Sequence, residues 1–200
     1  MRGGTCRLGA ARRLATLGLA AALSLSACSD SPPQFNGTDI TGTHLGRDLA
    51  LTDHNGQART LASFQGKVSV VFFGFTQCPD VCPTTLAQLG EVMRALGRDA
   101  ERVQVVMVSV DPERDTPEVL KQYMAAFHPG FLGLRGDEPA LKQTAASFRA
   151  YFAKAPQPDG GYTMDHTGSI YLIDPAGEAR VLASGNVGTE ALVQDIRALL

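Results

Sequence analysis

The feature that most constrains this chain is VSVVFFGF, residues 68–75, an unbroken apolar run rich in β-branched and aromatic residues. A strand wet on one face alternates polar and apolar residues, whereas a continuous run suits a strand covered on both faces. A second run of the same kind, VQVVMVSV, occupies 103–110. Between them, LAQLGEVMRALG places Leu86, Leu89, Val92, Met93 and Leu96 at helical spacing.

The remaining segments extend this pattern. LALTDHNGQARTLASF reads as a hairpin turning at Asn55-Gly56. Thr116-Pro117-Glu118 opens a helix with a capping residue and a proline at the first position, and PEVLKQYMAAF continues it. FLGL is a short strand, and EPALKQTAASFRAYF is an amphipathic helix reaching Phe152. SIYLID (169–174) and ARVLAS (179–184), joined by PAG, form a last hairpin. TEALVQDIRALL closes the chain as a helix capped by Thr189. Alternating strands and helices, then a hairpin and a helix, predict an α/β fold with a mixed central sheet, flanking helices and an N-terminal β-hairpin. A cysteine pair follows the first buried strand and precedes a helix, which is where a thioredoxin-like fold keeps its reactive thiols. That fold is expected over residues 47–200.

The N-terminus points to export. Arg2, Arg7, Arg12 and Arg13, with no acid among them, precede an apolar run from Leu14 to Ala27. A membrane span needs roughly 20 apolar residues, so residues 1–27 read as a signal peptide. LSAC, Leu25–Cys28, resembles a bacterial lipobox, which makes Cys28 the expected lipidated first residue of the mature protein. Residues 28–46, polar with Pro and Gly, read as a flexible tether. Residues 1–27 hold four of the 18 basic residues and none of the 20 acidic ones, leaving a formal charge of −6 on the rest. A mildly acidic surface without a basic cluster argues against nucleic acid as partner.

Cysteine usage is sparse. Cys6 leaves with the signal and Cys28 takes the lipid, so Cys78 and Cys82, in CPDVCP, are the thiols of the folded body. In an oxidising compartment such a pair defaults to a disulfide, yet a bridge across so short a loop restrains the unfolded chain little. Each cysteine precedes a proline, which biases its backbone away from the α region and places the helix start at Pro83. Unpaired amides and the helix dipole at that start favour thiolate, hence nucleophilicity and soft-metal binding. Three residues intervene where a redox pair usually has two, so both sulfurs are free to face one ion without being forced into a bond.

Two thiolates need a third donor. His44, His54 and His128 read as ordinary loop or helix-end histidines. His166 lies in YTMDHTGSIYLID, in a loop just before a predicted central strand, where a thioredoxin-like layout brings it beside the cysteines. Two thiolates and one imidazole form a soft, low-coordinate set suited to copper, above all Cu(I). Asp165 reads either as an acceptor orienting the imidazole or as a polar loop residue. Asp111, ending the second buried strand, either tunes the site or organises the DPERD turn. Met164 reads as a packed side chain rather than a thioether ligand.

CPDVCPTTL, VSVDPERDTPE, FLGLRG and YTMDHTGSIYLIDPAG together resemble the Sco/SenC family of copper-binding, thioredoxin-like proteins. The resemblance implies Cu(I)/Cu(II) binding, one ion per domain, through Cys78, Cys82 and His166. It implies a part in assembling the binuclear copper centre of cytochrome c oxidase subunit II, by handing over copper, reducing its cysteines, or both. The implied partners are that copper domain and a periplasmic copper donor or thiol reductant. Here a lipobox stands in place of the membrane helix many relatives carry, which puts the protein on the periplasmic side of a bacterial membrane. The competing readings are a metal-independent thiol–disulfide oxidoreductase using Cys78 and Cys82 as its redox pair, and a thiol peroxidase, which no residue specifically favours.

Overall fold

The computed structural model describes residues 33–158 and 160–200. The expected signal peptide, Cys28 and the first residues of the expected tether lie outside them. In chain order the elements are β1 (Thr38–Asp39), β2 (Ala50–Asp53), β3 (Ala58–Thr60), β4 (Val68–Gly74) and α1 (Val81–Leu96). Next come β5 (Val103–Ser109), α2 (Pro117–Phe127), β6 (Leu132–Arg135) and α3 (Glu138–Ser147). The chain ends with β7 (Phe152–Pro156), β8 (Tyr162–His166), β9 (Ile170–Ile173), β10 (Ala179–Ala183) and α4 (Thr189–Leu199).

Eight strands form one mixed sheet in the order β1-β10-β9-β4-β5-β6-β2-β3, while β7 and β8 pair separately. β4, β5 and β6 run parallel, and β9 runs antiparallel on the other side of β4. Every residue of β4 is buried. Val68, Val70 and Phe72 pack with Leu86, Leu89, Leu120 and Ile196 of the helices on one face. Val71 and Phe73 pack on the other with Leu51, Leu141 and Phe148. The apolar run is unbroken because both of its faces are core. The carboxyl ends of β4 and β5 therefore mark one fixed edge of the sheet, and the thiols follow there.

The structure corrects the expectation in several places. The expected tether is already part of the fold from Phe35 onward, whose ring packs against the core. β1 pairs with β10, Ile40 and Leu45 are buried, and the buried Asp195 carboxylate accepts the backbone N–H groups of Asn36 and Gly37. A two-residue strand and isolated apolar residues carry no period, so this packing leaves no pattern to read.

The expected helix through Phe152 stops at Ser147. Arg149 takes a left-handed φ of 52°, Ala150 N–H donates to Ala145 O, and Arg149 N–H to Ala146 O. This is a Schellman ending, usually signalled by glycine at the left-handed position; here an arginine fills it. The freed residues form β7 against β8, so His166 is the last residue of a strand rather than part of a loop. α1 begins at Val81, ahead of Pro83, because a proline is tolerated anywhere in a first turn, where N–H groups lack helical partners. The N-cap of α4 is Gly188, not Thr189. The cap expected at Thr116 is present, its side chain accepting the Val119 N–H.

Candidate metal centre

Beyond Gly74 the chain turns sharply into Cys78, whose N–H donates to Phe75 O. A buried carboxylate pins this turn: Asp115 accepts from Thr76 N–H and, at 2.6 Å each, from the hydroxyls of Thr76 and Ser109. Burial pushes the Asp115 carboxyl above its usual range, and the Ser109 and Thr76 donors pull it back. The turn is thus tied to the end of β5 as well as to β4.

Cys78 is half-buried, and Cys82, in the first turn of α1, is 1% exposed. The Cys82 N–H points at Cys78 Sγ, 3.4 Å away. Gly74 lies directly beneath: a Cβ there would stand 2.9 Å from Cys82 Sγ. The sequence predicts that the helix start favours thiolate at both positions, and Cys82 departs from this. Burial pushes its thiol well up, against a backbone hydrogen bond from Phe75. In the reduced, ligand-free protein this sulfur therefore rests as the protonated thiol.

His166 arrives from the other side. Its Nε2 lies 3.8 Å from Cys82 Sγ, and its Nδ1 lies 3.1 Å from the carbonyl oxygen of Thr167. A carbonyl only accepts, so Nδ1 carries the proton and Nε2 presents its lone pair toward the sulfur. The ring stands edge-on to Phe75, at 5.8 Å between centroids and 87° between planes. Tyr151 N–H donates to Thr167 Oγ1 and Thr167 N–H to Tyr151 O, which lock the residue after the histidine. One ligand atom each from Cys78, Cys82 and His166 lie within 4.8 Å of one another.

Of the remaining sequence candidates, Asp165 does not orient the imidazole. It is exposed on β8, one strand position from His166, and the Thr167 carbonyl takes that role. Asp111 is buried and accepts from Tyr162 Oη and Arg114 Nε, so it acts on the surroundings of the site. Met164 is packed in the core, as expected. His44 sits exposed beside Arg47 and Glu178, while His54 and His128 accept the N–H groups of Gly133 and Gly130 through Nδ1. Sequence reasoning passed over Gly74, Phe75, Asp115, Arg114 and Thr167. A glycine closing a buried strand was a readable sign of close approach; the others gave no local signal.

A thioredoxin-like domain with a dithiol and an imidazole converging at the carboxyl edge of its central strands belongs to the class of soft-metal and thiol-redox proteins. A family model described as SCO1/SenC matches residues 37–200. The chain belongs to the SCO1/SenC family. An SCO2-like protein of Rickettsia felis is 38% identical over 136 residues, 67% of this chain and 66% of its own length. The match spans between 66% and 48% of the length of such curated relatives. Among solved structures, Bradyrhizobium japonicum ScoI with copper bound is 45% identical, with a TM-score of 0.70 over 76% of this chain and 97% of that one. Apo Sco1 from Thermus thermophilus is 42% identical, with a TM-score of 0.75 over 84% of this chain and 98% of that one.

Proposed function

We propose that this protein is a copper-binding assembly factor that metallates, reduces, or both, the cysteines of the binuclear copper site of cytochrome c oxidase subunit II. The observation that carries the reading is the meeting of the Cys78 and Cys82 sulfurs with His166 Nε2, whose lone pair faces Cys82 Sγ. Two thiolates and a neutral imidazole suit Cu(I) by softness and low coordination number. The copper-bound ScoI structure, at 45% identity, supports the same cargo here. Cys78 and Cys82 hold one ion together with His166, and its loading requires both thiols reduced. Residues 1–27 direct export, lipid on Cys28 anchors the chain to the periplasmic side of a bacterial membrane, and residues 28–34 link that anchor to the fold.

The test is a titration of the reduced protein with Cu(I) against a competing chelator, followed by mixing the loaded protein with the apo copper domain of the oxidase. Uptake of one equivalent and its passage to the oxidase domain are expected. No uptake at one equivalent would refute the copper reading.

A second reading, thiol–disulfide exchange, is favoured by the unequal burial of the two thiols. Cys78, the accessible one, attacks a target disulfide and forms a mixed disulfide while one target sulfur leaves as thiolate. Cys82 then attacks Cys78 Sγ, its proton passing to solvent, and the second target thiol is released. Two electrons pass to the target as the Cys78–Cys82 bridge forms. Both readings use the same dithiol, and the bridged form lacks the ligands for copper. Retention of tight Cu(I) binding by the oxidised protein would place the ligands elsewhere.

A further inference from the structure

His166 and the two cysteines reach the site on separate pieces of the fold, and one side chain touches both pieces. Arg114, in the loop after β5, is mostly buried. Its Nε donates to the buried carboxylate of Asp111, two residues past the end of that strand. Its Nη1 donates to Gln77 Oε1 and to the Tyr162 carbonyl oxygen, both at 3.0 Å. Gln77 is the residue before Cys78, and Tyr162 is the first residue of the strand that ends in His166. The guanidinium carbon lies 3.9 Å from the centre of the Tyr162 ring and 5.8 Å from that of Phe75, the ring that meets His166 edge-on. Nη2 is buried with no hydrogen-bond partner among the described residues, as befits a guanidinium laid on aromatic faces. Tyr162 Oη closes the circuit by donating to Asp111 Oδ1 at 2.9 Å.

We propose that Arg114 is a positioning residue for the copper centre, a planar clamp that sets the distance between the cysteine turn and the histidine strand. The inference rests on the copper reading above. An Asp–Arg pair three residues apart within one loop needs only a turn. The further bonds to Gln77 and Tyr162, with two aromatic contacts, reach out of that loop to the segments that carry the ligands. A fixed fork with a flat face makes all these contacts at once, and a lysine ammonium does not. Partners that orient metal ligands from outside typically change affinity by about 10–100-fold when removed.

The test measures Cu(I) affinity by chelator competition, with the thiolate charge-transfer spectrum of the Cu(II) form and the apo melting temperature recorded alongside. The proteins are wild type, Arg114→Gln, Arg114→Lys, Tyr162→Leu, His166→Ala and the Arg114→Gln/His166→Ala and Tyr162→Leu/His166→Ala pairs. Arg114→Gln, Arg114→Lys and Tyr162→Leu should each lose about 10–100-fold in affinity. In the His166→Ala background, Arg114→Gln should change affinity by no more than about twofold, because the ligand it positions is gone. In the metal-free reduced protein, the His166 imidazole resonances should shift or broaden on Arg114→Gln.

Wild-type affinity in Arg114→Gln or Arg114→Lys, or an equal loss with and without His166, would overturn the proposal while leaving the copper reading intact. Failure of wild type to bind copper at all would instead remove that reading. Should Arg114→Gln fold poorly, Tyr162→Leu with and without His166 carries the same comparison.

Discussion

The two sides of the candidate centre are built differently. The cysteine side grows out of the core. β4 is buried along its whole length, Cys82 is buried at the start of α1, and Asp115 ties the intervening turn to the end of β5. The histidine side is a two-stranded ribbon outside the main sheet, joined to the cysteine side through Arg114, Phe75 and the aromatic contacts around them. A two-stranded hairpin has little stability of its own, so its placement depends on these side chains and on Met164, which packs into the core. Under the copper reading proposed above, the rigid half would supply two ligands and the ribbon the third.

The sharpest way to break the comparison is His166→Ala. If the histidine ribbon serves the site and not the fold, Cu(I) affinity should fall by more than the roughly 10–100-fold typical of an outer partner. The apo melting temperature and the ability of Cys78 and Cys82 to form a disulfide should stay at wild-type values. A large loss of apo stability would mean the ribbon is part of the core framework after all. Chelator competition and thermal unfolding decide it.

The next largest effect is chemical selectivity between the thiols. In the reduced apo protein, a small alkylating agent should label Cys78 and spare Cys82, which is buried and held protonated by that burial. Because a raised value favours the protonated thiol, copper binding through Cys82 must displace its proton. Cu(I) affinity should therefore rise with pH, by about tenfold per unit for that one proton, and fall on acidification. Peptide mapping of the labelled protein and titrations at several pH values check both points. Equal labelling would mean the first turn of α1 opens readily.

Stability changes are smaller, and the two sides should differ again. Gly74→Ala forces a Cβ to within 2.9 Å of Cys82 Sγ and 3.3 Å of Phe72, inside a packed core. Overpacking of this kind costs about 1–3 kcal/mol, and copper affinity should drop with it because Cys82 is displaced. Arg149→Gly relieves a left-handed backbone at the junction of α3 with the ribbon. It should stabilise by up to ~1 kcal/mol, set against the entropy glycine adds to the unfolded chain, with no change in copper affinity. Denaturant unfolding of both variants measures the contrast.

Much of this arrangement is legible in the sequence. The runs at 68–75 and 103–110 predict the two central strands to within a residue of β4 and β5, and Asn55-Gly56 does turn a hairpin. Cys78, Cys82 and His166, singled out by residue type and place, do come together. The ribbon was hidden because its start depends on Arg149 adopting a conformation that a glycine would have announced. Of the two readings open for Asp165, its place on a strand favours that of a polar surface residue, because neighbours along a strand point to opposite sides.

By itself the sequence determines which strands are buried, where two thiols leave the sheet, and which histidine is available to join them. Those properties are carried by period, composition and local backbone preference, which a linear chain displays. Tertiary structure decides that one thiol is buried and the other reachable, that a backbone carbonyl fixes the imidazole tautomer, and that Arg114 spans the two halves of the site. Each of these depends on contacts between segments far apart in the chain. Their physical cause is desolvation and distance, and neither exists until the core has closed.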